Sequence, residues 1–207
     1  MGTRQAHWGT VYSTGAVDTV NWYEASPAAS LAAIESAVVA RDTPIIDVGG
    51  GASLLVDELL RRGFTDLTVL DVSHEALDKV RSRLAGASAQ VQFVVADVTA
   101  FQPTRHYGVW HDRAVFHFLV DAEDRRLYVG ALRRALHPRG VVIIATFGPQ
   151  GPERCSGLPI VRYAATTLAA ELGDGFRLSS SFIDVHRTPS GGEQQFLHAR
   201  FEFNAGG

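Results

Sequence analysis

Pro44-Ile45-Ile46-Asp47-Val48-Gly49-Gly50-Gly51-Ala52-Ser53 decides how the rest of the chain is read. A short apolar run that stops at a glycine cluster reads as a buried strand entering a tight turn. Ser53 to Arg62 then carries Leu54, Leu55 and Leu59 on one side and meets Gly63 at its end, which reads as a helix. Strand, glycine turn and helix form the opening unit of a parallel, doubly wound sheet.

The alternation continues outward from there. Leu67 to Leu70 reads as a second strand, and Ser73 caps a helix carrying Ala76, Leu77, Val80 and Leu84 that Gly86 ends. Val91 to Val95 and Tyr107 to Trp110 read as the third and fourth strands. Asp121 caps a helix running to His137, where Pro138-Arg139-Gly140 stops it, and Val141 to Thr146 is a fifth, wholly apolar strand. Thr166 to Leu172 reads as a helix. Phe176 to Val185 and Gln194 to Phe203 alternate like two strands joined by the turn-rich Thr188 to Gly192. The expected architecture is a Rossmann-like, doubly wound, seven-stranded sheet, mostly parallel and closed by a C-terminal antiparallel hairpin. One domain is expected over 1–207, with a donor-binding core at 44–147 and an acceptor loop plus hairpin at 148–207. Residues 1–43, with His7, Trp8, Tyr12, Trp22, Tyr23 and a short helix turning Leu31, Ile34 and Val38 inward, read either as a lid or as aromatics packed on the sheet edge.

Ligands of open α/β sheets bind outside the carboxyl ends of the strands, where the strand order reverses. Gly49 and Gly51 permit a tight turn and close approach to the backbone. Asp71 ends the second strand twenty residues after Gly51, where a carboxylate accepts from ribose hydroxyls. Asp97 ends the third strand, placed for an adenine amino group, and Asp47 lies close to a ligand's cationic amine. Three acids at three successive strand ends, beside a glycine loop, point to one nucleoside-bearing ligand.

This set resembles the class I S-adenosylmethionine-dependent methyltransferases over roughly residues 44 to 147. The resemblance implies that Asp47, Gly49 and Gly51 cradle the methionine part of S-adenosyl-L-methionine. It places Asp71 and Val72 at the ribose and adenine, and Asp97 and Val98 at the adenine edge. Ser53 departs from the usual third glycine. Trp8 and Tyr12 are expected against the donor as well. A nicotinamide dehydrogenase would need a third glycine at Leu54, or a Tyr-x-x-x-Lys pair. Lys79 is the only lysine, and Glu75 stands four residues before it.

Methyl transfer is an in-line displacement, so the protein must align, desolvate and, for a protonated acceptor, remove a proton. The loop expected after the fourth strand reads Trp110-His111-Asp112-Arg113-Ala114-Val115-Phe116-His117-Phe118. His111 is the candidate base, and Asp112 is its candidate orienting partner. Arg113, His117 and Trp22 are candidate acceptor contacts. The Asp-Arg-Ala step resembles thiopurine-type small-molecule methyltransferases. It also resembles an Asp-Lys-Gly-Thr motif of a protein-lysine branch, which shares a Trp-x-x-x-Tyr segment with Trp8 and Tyr12. The Asn/Asp-Pro-Pro-aromatic motif of base-amino enzymes is absent, and Cys155 follows Arg154 rather than proline. A small-molecule acceptor is expected. A protein-lysine methyltransferase and a non-catalytic donor-binding module stand as alternatives.

Composition narrows the partners. A net charge of -3 and no basic stripe argue against nucleic acid. Arg61-Arg62, Arg125-Arg126 and Arg133-Arg134 each lie beside acids on amphipathic faces. No stretch reaches bilayer length. A single cysteine and the absence of an apolar leader at Met1 to Gln5 point to the cytoplasm, and no metal is expected.

Overall fold

A computed structural model describes residues 3–14, 20–38 and 40–205. Residues 15–19 of the expected N-terminal lid fall outside the described residues. The order is α1 Thr3–Thr14, α2 Ala28–Ala37, β1 Ile45–Val48, α3 Leu55–Arg61, β2 Leu67–Asp71, α4 His74–Leu84, β3 Val91–Val95 and β4 Tyr107–Arg113. It continues with α5 Ala122–Ala135, β5 Leu136–Phe147, the two-residue strands β6 Arg154–Cys155 and β7 Leu158–Pro159, α6 Ala165–Leu172, β8 Phe176–Arg187 and β9 Glu193–Phe203.

Seven strands form one sheet in the order β3-β2-β1-β4-β5-β9-β8. β1 pairs in parallel with β2 on one side and β4 on the other, so the order reverses between β1 and β4. β9 runs antiparallel to both β5 and β8, and is alone in opposing the sheet direction. Successive side chains of a strand point to opposite faces, and the core divides accordingly. Ile46, Val48, Trp110 and Ile144 pack with Tyr128 and Leu132 of α5 and Leu168 of α6. Ile45, Val109 and Ile143 pack on the opposite face with Leu31 and Ile34 of α2, Leu55 and Leu59 of α3 and Leu77 of α4.

Three boundaries differ from the sequence reading. β4 continues through Arg113 instead of stopping at Trp110, because β1 and β5 flank it and pair with it as far as Asp112 and Arg113. Pro138-Arg139-Gly140 does not end α5. The helix stops at Ala135, and β5 begins at Leu136 with a register shift between the Tyr107–Leu136 and Val109–Val141 pairs. Arg139 takes a φ of 66° there. α4 ends at Leu84, and its C-cap is Ala85 at φ 48° rather than Gly86. Its start is as expected, since the Ser73 hydroxyl accepts from the Ala76 amide at 3.2 Å.

Candidate functional site

The carboxyl ends of β1, β2, β3 and β4 open onto a cleft of about 820 Å³, its open mouth included. Gly49 lies on its floor and Gly51 stands behind Tyr12 and Asp71; the two take φ of +65° and +49°, a region that suits glycine. A Cβ at Gly49 would come within 1.9 Å of the Val115 Cγ2, and one at Gly51 within 2.5 Å of the Tyr12 hydroxyl and 3.2 Å of Asp71 Oδ2. The glycine turn therefore has no room for side chains, and its amides are tied back to β2: Gly49 and Gly50 donate to the Leu70 carbonyl and Gly51 to the Asp71 carboxylate.

Asp71, at the tip of β2, is buried, and Oδ1 accepts from the Ser73 amide at 2.8 Å. Burial pushes its carboxyl up to about 7, against amide hydrogen bonds that pull the other way. Two groups facing the cleft accompany it. The Tyr12 hydroxyl sits above Gly51, its ionisation raised by burial and by the Asp71 charge. Asp97 accepts from the Thr99 amide at 2.9 Å and hydroxyl at 2.7 Å, and pairs with Arg4 at 3.0 Å. Burial raises the Asp97 pKa, but Thr99 and Arg4 outweigh it and the net displacement is downward. Arg4 also pairs with Asp124 of α5, which fastens α1 across the β3 end of the cleft. Val72 and Val98 supply apolar wall beside these acids.

Beyond Gly49 the walls are aromatic. Trp8, Trp22 and Phe118 meet edge to face, with Trp8 centroids 5.6 Å from Trp22 and 5.1 Å from Phe118. Phe147 at the end of β5, Phe196 on β9 and Cys155 on β6 complete that end. Arg113 closes it. Its guanidinium pairs with Glu24 at 2.9 Å, donates to the Trp22 carbonyl at 2.9 Å and lies 4.9 Å from the centre of the Phe196 ring. Burial lowers the Arg113 pKa, with Glu24 opposing that displacement. A second cavity of about 550 Å³ adjoins at Gly49, Tyr12, Trp22 and Arg113, and is bordered by Asp47, Ser30 and His111.

The geometry separates the expected catalytic pair. His111 and Asp112 lie inside β4, so their side chains leave opposite faces of the sheet. His111 faces α2: Nδ1 is 2.7 Å from Asp47 Oδ1 and Nε2 is 2.9 Å from the Ser30 hydroxyl. Asp112 faces α5 and accepts from the Tyr128 hydroxyl at 2.6 Å and the amides of Val115 and Phe116 at 2.9 and 3.2 Å. Burial pushes Asp112 up to about 6. It does not orient His111 and does not border the cleft. It shapes the turn that sets Val115 over Gly49. His117 also stands off the cleft, stacked 4.5 Å from Phe147 with Nδ1 accepting from the Phe147 amide at 3.1 Å. Burial, with a smaller push from Arg113, lowers His117 to about 3, so the ring is neutral at working pH. The cleft does gather Asp71, Asp97, Gly49, Val72, Val98, Trp8, Tyr12, Trp22 and Arg113. Sequence reasoning missed Arg4, Glu24, Ser30, Phe147 and Phe196. Only the aromatic pattern of the strands bearing Phe147 and Phe196 hinted at buried rings, and nothing marked the others.

Residues 45–140 match a family model described as "Methyltransferase domain". The chain is 24% identical over 105 residues to malonyl-[acyl-carrier protein] O-methyltransferase 2 of Ilyobacter polytropus, a match covering 50% of this chain and 39% of that protein. It is 29% identical over 142 residues to nodulation protein S of Rhizobium tropici, covering 69% of this chain and 55% of that protein. The chain thus spans about half the length, or less, of these curated relatives. A structure reported for conversion of a disulfide bond into a thioacetal group during echinomycin biosynthesis superposes with a TM-score of 0.79 at 17% identity, covering 98% of this chain and 93% of that one. Among the described residues, no helix is long and apolar enough to cross a membrane. The family match begins at β1 and ends inside β5, just under half of the chain, and covers the strands whose tips build the cleft, so this core is similar to a methyltransferase domain and the whole chain shares the fold of the superposed structure.

Proposed function

We propose that the protein is a methyltransferase that uses S-adenosyl-L-methionine to methylate a small-molecule acceptor. The observation that carries the acceptor class is the end of the cleft. Trp8, Trp22, Phe118, Phe147 and Phe196 wall it and the Arg113–Glu24 pair closes it, a shape suited to a compact, largely apolar molecule.

The residues fit the donor. The Gly49 and Gly51 turn lets Val115, Tyr12 and Asp71 close in around the cleft where larger residues would clash. In this reading the Asp71 carboxylate accepts from ribose hydroxyls, Asp97 with Val98 meets the adenine edge, and Asp47 takes the amine. When bound, the donor supplies a methyl group activated by a sulfonium. The chain's own residues align the acceptor and exclude water, which is the larger share of such catalysis. His117 and His198 are both held neutral by burial, at about 3 and about 4, and both nitrogens of His111 are engaged. The acceptor then enters with its lone pair already free, as a thiolate or an unprotonated amine does.

Turnover of methyl-labelled donor, offered in parallel to pools of thiols, amines, phenols and whole-lysate protein, tests this. Label is expected in a small-molecule pool. Label confined to the protein pool overturns the acceptor class, and absence of donor binding by folded protein overturns the whole reading.

A further inference from the structure

The donor reading leaves one buried cluster unexplained, the chain Asp47–His111–Ser30. Asp47 and His111 are direct neighbours across the parallel β1–β4 pair. Their side chains leave the same face of the sheet and meet at 2.7 Å, with Asp47 5% and His111 2% exposed. An ionised carboxylate only accepts hydrogen bonds, so His111 Nδ1 carries a hydrogen and donates it. In the neutral ring Nε2 is the acceptor, and the Ser30 hydroxyl, itself buried on α2, donates to it at 2.9 Å. The ring is held at both nitrogens and cannot swing toward the acceptor end without breaking two buried hydrogen bonds. The second oxygen of Asp47 points under the glycine turn, where a Cβ on Gly50 would lie 2.6 Å from Oδ2. The second cavity begins at this carboxylate and joins the main cleft at Gly49.

We propose that His111 is a positioning residue rather than the base: together with Ser30 it locks the Asp47 carboxylate in the rotamer that receives the amino-acid half of the donor. The proposal rests on the donor reading above. Nδ1–H occupies Oδ1, which leaves Oδ2 the free acceptor for an ammonium group in the second cavity. A rotamer-locked carboxylate loses less freedom on binding than a mobile one, so the contact is preorganised.

Two ligands that differ only in that half make the test. S-adenosylhomocysteine carries the amino acid, and 5′-methylthioadenosine keeps the nucleoside but lacks it. Calorimetric titration of the parent and of His111→Phe, His111→Asn and Ser30→Ala reads the difference. His111→Phe removes both hydrogen bonds and is expected to weaken S-adenosylhomocysteine about 10-fold or more, with 5′-methylthioadenosine changed less than about 2-fold. Asn presents an amide N–H near the position of Nδ1, so His111→Asn restores most of the affinity. Ser30→Ala weakens the first ligand about 3-fold and leaves the second alone. If His111→Phe does not fold, the Asn and Ala variants carry the same comparison. Equal losses for both ligands, or no loss for either, overturn the proposal. Turnover that collapses while S-adenosylhomocysteine affinity matches the parent also overturns it, and makes His111 the base. A parent that binds 5′-methylthioadenosine but not S-adenosylhomocysteine overturns it with the donor half intact, whereas a parent that binds neither overturns the donor reading itself.

Discussion

Asp71 carries an unusual load, because its carboxyl is buried at the tip of β2 with no cation paired to it among the described residues. Burial holds its carboxyl near 7 instead of 3.8. The folded state therefore binds more protons than the unfolded state between those values, and stability falls as pH rises through the window. The stabilising, protonated condition is fully present below about 3.8 and is lost as pH passes about 7. At about 1.36 kcal/mol per decade of proton affinity, full ionisation costs the ligand-free protein on the order of 4 kcal/mol. Asp71→Asn removes that dependence. The amide also places an NH2 group where an oxygen accepted from the Ser73 or Gly51 amides, which adds an offset independent of pH. The informative quantity is therefore the change in the gap between variant and parent. Urea denaturation at about pH 4.5 and about pH 8 should show the gap moving by roughly 3 kcal/mol in the variant's favour at the higher pH. The same variant should bind S-adenosylhomocysteine roughly 10- to 100-fold more weakly, having lost charge-assisted bonds to ribose. A gap that stays constant with pH refutes the desolvated carboxylate. A gap that moves the other way would mean that Asp71 is stabilised as an anion in the folded state.

Gly49→Ala should cost about 2 to 4 kcal/mol, since the new Cβ meets Val115 Cγ2 at 1.9 Å in a left-handed conformation. Val115→Ala in the same chain should recover part of that in a denaturation cycle. Gly63→Ala, also at positive φ but in open space, should cost only about 1 kcal/mol. Tyr128→Phe removes the hydroxyl that donates to Asp112 and accepts from the Trp110 indole N–H at 2.8 Å, leaving two buried groups short of a partner. A loss of about 2 to 4 kcal/mol by chemical denaturation is expected, and a loss under about 0.5 kcal/mol would show that the network relaxes. Arg113→Ala should destabilise by about 1 to 3 kcal/mol because it removes the ion pair with the partly exposed Glu24 and the bond to the Trp22 carbonyl. Adding Glu24→Gln should restore part of that stability, and additive losses in the cycle would refute the coupling.

The sequence by itself determined the strand–turn–helix alternation, because its signals are local. Apolar runs of strand length, the glycines after β1 and the Ser73 cap each act within a few residues. The acids at or near the strand ends were legible for the same reason, since a strand's carboxyl end is a local position and the parallel fold gathers those ends along one edge. Only the tertiary structure decided the rest. β4 runs on to Arg113 because β1 and β5 supply ladders on both sides, a non-local cause that no window of β4 contains. That extension of three residues turns His111 and Asp112 to opposite faces, and it assigns one to Asp47 and Ser30 and the other to Tyr128. The aromatic end of the cleft is likewise a matter of convergence. Trp8, Trp22, Phe118, Phe147 and Phe196 come from five separate elements or loops, and packing alone brings them to one chamber.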